Sequence, residues 1–273
     1  MNKIYQIYQV SESTGETLDR IFLAIKAQFS DFECKTIHYS FTRTNNQIDK
    51  IINKCKKEKN IIILYTIVDS ALAKYLNHQC KKESIPNFEI LGNLISDFSK
   101  LLGKEASHKP SGQHVLDDEY YKRIEAVQFT MGHDDGKKVS DIENSDIVLV
   151  GVSRTSKTPT SIYLANRGYK TTNIPIIPNK QIPKQLVNSP KKLCIVGLVC
   201  DPTRLSDVRR NRIQSMNEDR PSEYTNEKKI INELEDSKIL FKKNNWPTID
   251  VTRKSVEETA ASVIKIFDIL NSR

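Results

Sequence analysis

Along the first hundred residues, short runs of β-branched and aromatic residues alternate with longer stretches in which apolar positions recur every three to four residues. Residues 4–10, 36–40 and 61–66 have the character of strands, and residues 15–29, 47–57 and 70–77 have helical spacing. This β-α-β-α-β-α alternation predicts a mostly parallel sheet. The first strand gives way to the first helix through Val10-Ser-Glu-Ser-Thr-Gly15, where Ser13 or Thr14 is expected to cap the helix while Gly15 relaxes the turn.

Residues 103–118 mix Gly, Pro, Ser, His and Lys and read as a loop joining two halves. The expected organisation is an N-terminal α/β half over 1–105, a connecting segment over 106–139 and a second half over 140–273. In the connector, residues 118–130 read as a helix with Tyr121, Ile124 and Val127 or Gln128 on one face, running into the polar turn Met131-Gly-His-Asp-Asp-Gly136. The second half repeats the alternation, with strands at 147–150, 172–176 and 193–199 and helices at 158–166, from near Leu205, and at 256–271. The strand at 193–199 is almost wholly apolar, as a central strand covered on both faces requires. Ser255 followed by Glu258 has the form of a capping box. The fold class is therefore α/β, with mostly parallel sheets in two halves.

Composition narrows the class. Lys plus Arg (42) minus Asp plus Glu (34) leaves a net charge of +8, which favours anionic partners, and 38% hydrophobic residues suffice for a core. The five cysteines are an odd count without a C-x-x-C pair, which argues for reduced thiols and a cytoplasmic address. His108, His114 and His133 match no standard zinc spacing. The longest apolar runs, 61–65 and 193–200, fall far short of the roughly 20 residues of a membrane span. Dispersed lysines and the lack of a reading module disfavour nucleic acid as a partner.

The strongest chemical feature is Asp146-Ile-Val-Leu-Val-Gly151-Val-Ser-Arg-Thr-Ser-Lys157-Thr158, an apolar strand, a turn, and Lys-Thr opening a helix. It nearly matches the Walker A pattern, in which backbone N–H groups and a helix N-terminus hold phosphates. Gly151, Val152, Ser153, Arg154, Thr155, Ser156, Lys157 and Thr158 form the expected phosphate loop, with Lys157 as point charge, Arg154 as a second cation and Thr158 suited to Mg2+. Ser156 stands where the pattern has its second glycine. The alternative is a strand-to-helix turn with a solvated lysine.

Asp201, at the end of the apolar strand, is either a carboxylate for Mg2+ or an Asp-Pro turn. In His133-Asp134-Asp135-Gly136, a carboxylate is a candidate base for a hydroxyl proton, or the segment is simply a polar turn. Arg204, Arg209, Arg210 and Arg212 either clamp phosphate or form a solvated helix face, with Arg209 and Arg212 spaced to point together.

Taken in order, these segments resemble the regulatory proteins of pyruvate, phosphate dikinase, a family that includes the regulators of phosphoenolpyruvate synthase. The resemblance rests on Val10-Ser-Glu-Ser-Thr-Gly15, His114 with Tyr121, Arg123-Ile-Glu-Ala126 and His133-Asp-Asp-Gly136. It continues through Gly151-Val-Ser-Arg-Thr-Ser-Lys-Thr-Pro159, Gly197-Leu, Asp201-Pro with Arg204-Leu205, and Asp250-Val-Thr with Ser255-Val-Glu-Glu-Thr-Ala260. It implies a cytoplasmic, homodimeric, bifunctional enzyme with ADP on residues 151–158. One activity is an ADP-dependent kinase that inactivates the dikinase by phosphorylating a threonine or serine. The other is a phosphorylase that uses inorganic phosphate to remove the group as pyrophosphate. One loop, with Lys157 and Arg154, is expected to serve both reactions, and Asp135, with Asp134 beside it, to act as base. The competing class is a nucleotide-gated protein that inhibits by docking alone.

Overall fold

In a computed structural model that describes residues 3–112, 117–178, 180–188, 193–216 and 222–272, the chain divides into two units, Met1–Val115 and Leu116–Arg273. Both are α/β, and every strand pair is parallel.

The first unit runs β1 (Tyr5–Ser11), α1 (Glu16–Lys26), β2 (Cys34–Tyr39), α2 (Asn45–Cys55), β3 (Ile61–Thr66), α3 (Ser70–Lys82), β4 (Asn87–Glu89) and α4 (Gly92–Leu102). The strand order is β2-β1-β3-β4. Because strand side chains alternate, Tyr8 and Val10 of β1 join Ile48, Ile51 and Leu76 of α2 and α3, whereas Ile7 joins Leu18 and Phe22 of α1. The structure corrects the expected cap of α1. Gly15 itself is the N-cap, at φ +92°, and no side chain caps the helix. Ser13 instead accepts a hydrogen bond from Ser111.

The second unit opens with α5 (Asp118–Gly132) and short 3-10 segments at Asp134–Gly136 and Val139–Asn144. It continues through β5 (Ile147–Gly151), α6 (Lys157–Ala165), β6 (Thr171–Pro175), α7 (Lys184–Asn188), β7 (Cys194–Val199), α8 (Pro202–Met216), a 3-10 turn at Ser222–Thr225, α9 (Glu227–Lys243), β8 (Thr248–Asp250) and α10 (Val256–Asn271). The order β6-β5-β7-β8 repeats that of the first unit. Every residue of β5 and β7 is buried, as expected of strands covered on both faces. Leu164 of α6 and Val263 of α10 pack with Leu149 and Val196 on one face; Phe241 of α9 packs with Val148 and Ile195 on the other. Gly197 permits that second contact, since a Cβ there would lie 2.5 Å from the Phe241 ring. The Ser255–Glu258 capping box opens α10.

For α5 the predicted apolar face is turned outward. Tyr121 and Ile124 are exposed, and the buried positions are Ala126 and Thr130. The Thr130 hydroxyl accepts a hydrogen bond from the Thr171 N–H at the start of β6, so this helix is seated by a small residue and a polar contact rather than by large side chains.

All five cysteines are free thiols. Burial pushes Cys55 and Cys80 up to about 12 and Cys194 and Cys200 up to about 11, so these four remain protonated fillers of the core. No helix among the described residues is long and apolar enough to cross a membrane.

Candidate active site

Parallel strands bring the carboxyl ends of β5 and β7 to the same edge of the second sheet. There β5 leads to α6 on one face, and β7 leads through α8 to α9, whose Phe241 packs on the other, the kind of crevice where open α/β sheets bind ligands. The segment 151–158 forms its floor. A Cβ on Gly151 would lie 2.6 Å from the Leu198 carbonyl oxygen of β7 and 2.8 Å from Thr155 Oγ1, so only glycine closes this turn. The buried Thr155 hydroxyl donates to the Val152 carbonyl at 2.9 Å.

Two non-glycine residues of the loop, Arg154 at φ +75° and Ser156 at φ +59°, are left-handed. Each such residue costs on the order of 1 kcal/mol. Left-handed residues in a strand-to-helix turn are the backbone signature of a concavity that turns N–H groups toward an anion. Ser156 is also the N-cap of α6 and makes no side-chain capping bond. The pattern's second glycine is thus replaced in letter but kept in conformation.

Lys157 is only 6% exposed. Its Nζ donates to the Val152 carbonyl at 2.9 Å, folding the side chain across its own loop and leaving further N–H donors on the ammonium. Burial pulls this ammonium down to about 8, against the opposing influence of Asp135 and Asp134 and with the help of Arg154 and Arg209.

The two acidic residues arrive from the C-terminal end of α5. His133 caps that end, stacked on Phe129 and bonded through Nδ1 to the Phe129 carbonyl at 2.7 Å. The chain then turns through Asp135 at φ +56° and Gly136 at φ +77°. Asp134 Oδ1 accepts from the Thr158 hydroxyl at 3.0 Å and also from the Asn173 side-chain amide. The Asn173 carbonyl oxygen in turn accepts the Asp135 N–H at 3.0 Å. The acidic turn is therefore clamped to the head of α6 by one residue of β6, itself 1% exposed.

A sequence profile described as kinase/pyrophosphorylase matches residues 7–264 of this chain. The chain belongs to the kinase/pyrophosphorylase family. A relative from Pelagibacter ubique (strain HTCC1062), named "Putative pyruvate, phosphate dikinase regulatory protein", is 59% identical over 269 residues, covering 98% of each chain. Proteins of the same name from Sphingopyxis alaskensis and Bradyrhizobium diazoefficiens are 43% and 40% identical, covering 96% and 97% of this chain and 96% and 95% of their own.

Within this kinase/pyrophosphorylase chain, the loop, Lys157, Thr158, Asp134 and Asp135 come together, and Arg154 lies exposed on the loop. Asp201 caps a helix. Its Oδ1 accepts the Arg204 N–H at 3.0 Å as the cap of α8, with Pro202 following, and its own N–H donates to Thr252 Oγ1 at 2.9 Å. The Asp250-Val-Thr segment is explained by the same hydroxyl, which bonds Asp250 and draws its carboxyl below the usual range.

The arginine cluster is divided between surface and interior. Arg204 and Arg212 are exposed, and Arg210 makes a solvated ion pair with Asp207. Arg209, expected to point with Arg212, is instead 1% exposed. Its guanidinium pairs with Glu233 at 2.6 Å, donates to the Tyr224 and Ser153 carbonyls, and lies 4.6 Å from the Tyr224 ring. It braces the 151–158 turn from behind.

Asn173 is the site residue that the sequence reading missed. Its only signal is a polar, poorly β-forming residue inside a short strand, which must find partners if buried. Beside the loop, Val152, Ile176, Pro178, Ile182, Leu240 and Glu233 line an open groove of about 630 Å3, a size typical of small-molecule sites. His114 lies outside the described residues.

Proposed function

We propose that this protein regulates pyruvate, phosphate dikinase by reversible phosphorylation of a threonine or serine, using ADP as donor and inorganic phosphate as the agent of removal. The observation that carries the reading is the clamp in which Asn173 bonds both Asp134, which accepts from Thr158, and the Asp135 N–H, beside the Lys157 ammonium. A diphosphate-holding loop and a carboxylate fit to take a hydroxyl proton thus share one site. The relatives' printed names support the dikinase as target rather than phosphoenolpyruvate synthase.

In the forward direction the target hydroxyl attacks the β-phosphorus of ADP. A new oxygen–phosphorus bond forms, the bond to the bridging oxygen breaks, AMP leaves, and the hydroxyl proton passes to Asp135. In the reverse direction an oxygen of inorganic phosphate attacks the phosphorylated residue. Pyrophosphate forms as the bond from phosphorus to the side-chain oxygen breaks, and that oxygen takes its proton from Asp135. Both paths place two linked phosphorus centres over the loop, so Lys157 and the inward N–H groups stabilise both. The groove beside Val152 leaves room for the nucleoside. Mg2+ at Thr158 supplies charge neutralisation to the diphosphate when bound. Among the described residues no group of three or more His, Cys, Asp or Glu could hold a metal, which suits an ion taking most of its ligands from phosphate and water.

The test is incubation with β-labelled ADP and histidine-phosphorylated dikinase, followed by mapping of the label. Label on a threonine or serine of the dikinase is expected, and Asp135→Asn should lower its rate of appearance at least a hundredfold with ADP binding retained. Inhibition of the dikinase without transfer of label would leave a docking inhibitor instead.

A further inference from the structure

We propose that Asp134, together with Thr158, anchors the divalent cation of the bound diphosphate, and that Asp201 takes no part in it. This rests on the reading of residues 151–158 as a diphosphate cradle.

The Thr158 hydroxyl carries one proton and two lone pairs. Its proton has an acceptor in Asp134 Oδ1 at 3.0 Å and one lone pair meets the Asn173 amide at 3.5 Å, so the other lone pair remains for a cation at the head of α6. Among the described contacts, Asp134 Oδ2 accepts no hydrogen bond and is available as a negative ligand, directly or through a coordinated water. A small hard cation needs little more from the protein than one carboxylate and one hydroxyl, because phosphate oxygens and water complete its shell.

Asn173 holds this arrangement ready. Buried on β6, it donates to Asp134 and accepts from the Asp135 N–H, so the carboxylate is oriented by a supporting partner of the kind that commonly fixes metal ligands. The left-handed Asp135 and Gly136 turn the chain so that the neighbouring carboxylates do not serve the same purpose: Asp134 faces Thr158, while Asp135 is exposed and open to a hydroxyl. At the end of β7, where a carboxylate for Mg2+ was expected, one oxygen of Asp201 is engaged within the fold, and among the described contacts none joins it to the Thr158 hydroxyl. Asp201 caps α8 through its side chain and is tied to Thr252 through its backbone. In this chain the acidic partner of the loop's threonine comes from the turn after α5, not from the strand beside β5.

Calorimetric titration of ADP, in Mg2+ and in EDTA, separates the possibilities. For the wild type, Mg2+ should tighten ADP binding at least tenfold. Asp134→Asn keeps the shape and the acceptor oxygen for Thr158, and it should abolish that tightening while leaving affinity in EDTA within about threefold. Asp201→Asn, still able to cap a helix, should keep the tightening. With Mn2+ and ADP, the wild type and Asp201→Asn should show the paramagnetic signal of bound Mn2+, and Asp134→Asn should not. Full tightening in Asp134→Asn, its loss in Asp201→Asn, or a wild type that binds ADP equally well in both buffers would overturn the assignment. A wild type that binds ADP in neither buffer fails earlier, at the reading of the loop itself.

Discussion

The Lys157 ammonium and the Val152 carbonyl oxygen lie 2.9 Å apart within one loop, so the cation is held on the site's own backbone before any anion arrives. With burial pulling it down to about 8, Lys157 is largely charged at pH 7 and largely neutral at pH 9. A diphosphate favours the charged form. ADP affinity should therefore fall as pH rises through about 8, with proton uptake on binding near and above that pH. Calorimetry in buffers of different ionisation enthalpy measures both, and an affinity unchanged from pH 7 to 9 would contradict the placement.

The same burial predicts an opposite effect on stability. The folded-state value of about 8 lies below the ordinary 10.5, so the penalty of burying the cation is full below pH 8 and fades as pH rises toward 10.5. Lys157→Met should abolish ADP binding yet stabilise the ligand-free protein at pH 7, by on the order of 2 kcal/mol. Urea titrations at pH 7 and pH 10 should show the gain shrinking at the higher pH.

At Ser156, glycine fits the left-handed φ of +59° without strain. Ser156→Gly should be neutral to stabilising, by up to about 1 kcal/mol, with ADP binding intact. Ser156→Val should cost more than about 1 kcal/mol and weaken ADP binding, since a β-branched residue resists this conformation. Equal melting temperatures and equal affinities for the two variants would show that the dihedral does not matter.

Arg209 is a brace rather than a ligand. Arg209→Ala strands Glu233 and removes a donor from the Ser153 carbonyl, and should destabilise the second unit by about 3–5 kcal/mol. Arg209→Lys should recover only part of this, because one ammonium cannot span Glu233, Tyr224 and Ser153 together. Chemical denaturation decides, and full recovery by lysine would refute the bracing role.

Much of the fold was legible because its signals are local and periodic. The strands at 147–151 and 194–199 are runs of apolar residues, and the cap at Ser255 is a four-residue pattern. The strand-turn-helix at 147–165 was legible because an apolar run, a turn and Lys-Thr follow one another. The rest depends on contacts between distant segments. Nothing in the neighbourhood of Asp134 tells that it meets Thr158, 24 residues on, or that Asn173 joins them. The seating of α5 misled for a related reason. Its larger apolar residues face outward, and the buried contact runs through Ala126 and a hydroxyl that bonds the edge of β6. Arg209 was expected to point with Arg212 because helical spacing alone cannot tell a shared face from burial; here the ion pair and carbonyl acceptors make its burial tolerable.

Ser156 also bears on how such sites are found. What the turn before α6 demands is an angle, and several small residues meet it, so the alphabet of the motif is wider than its usual spelling. A survey keyed to backbone torsions at the ends of parallel strands would gather loops of this kind that letter-matching passes over.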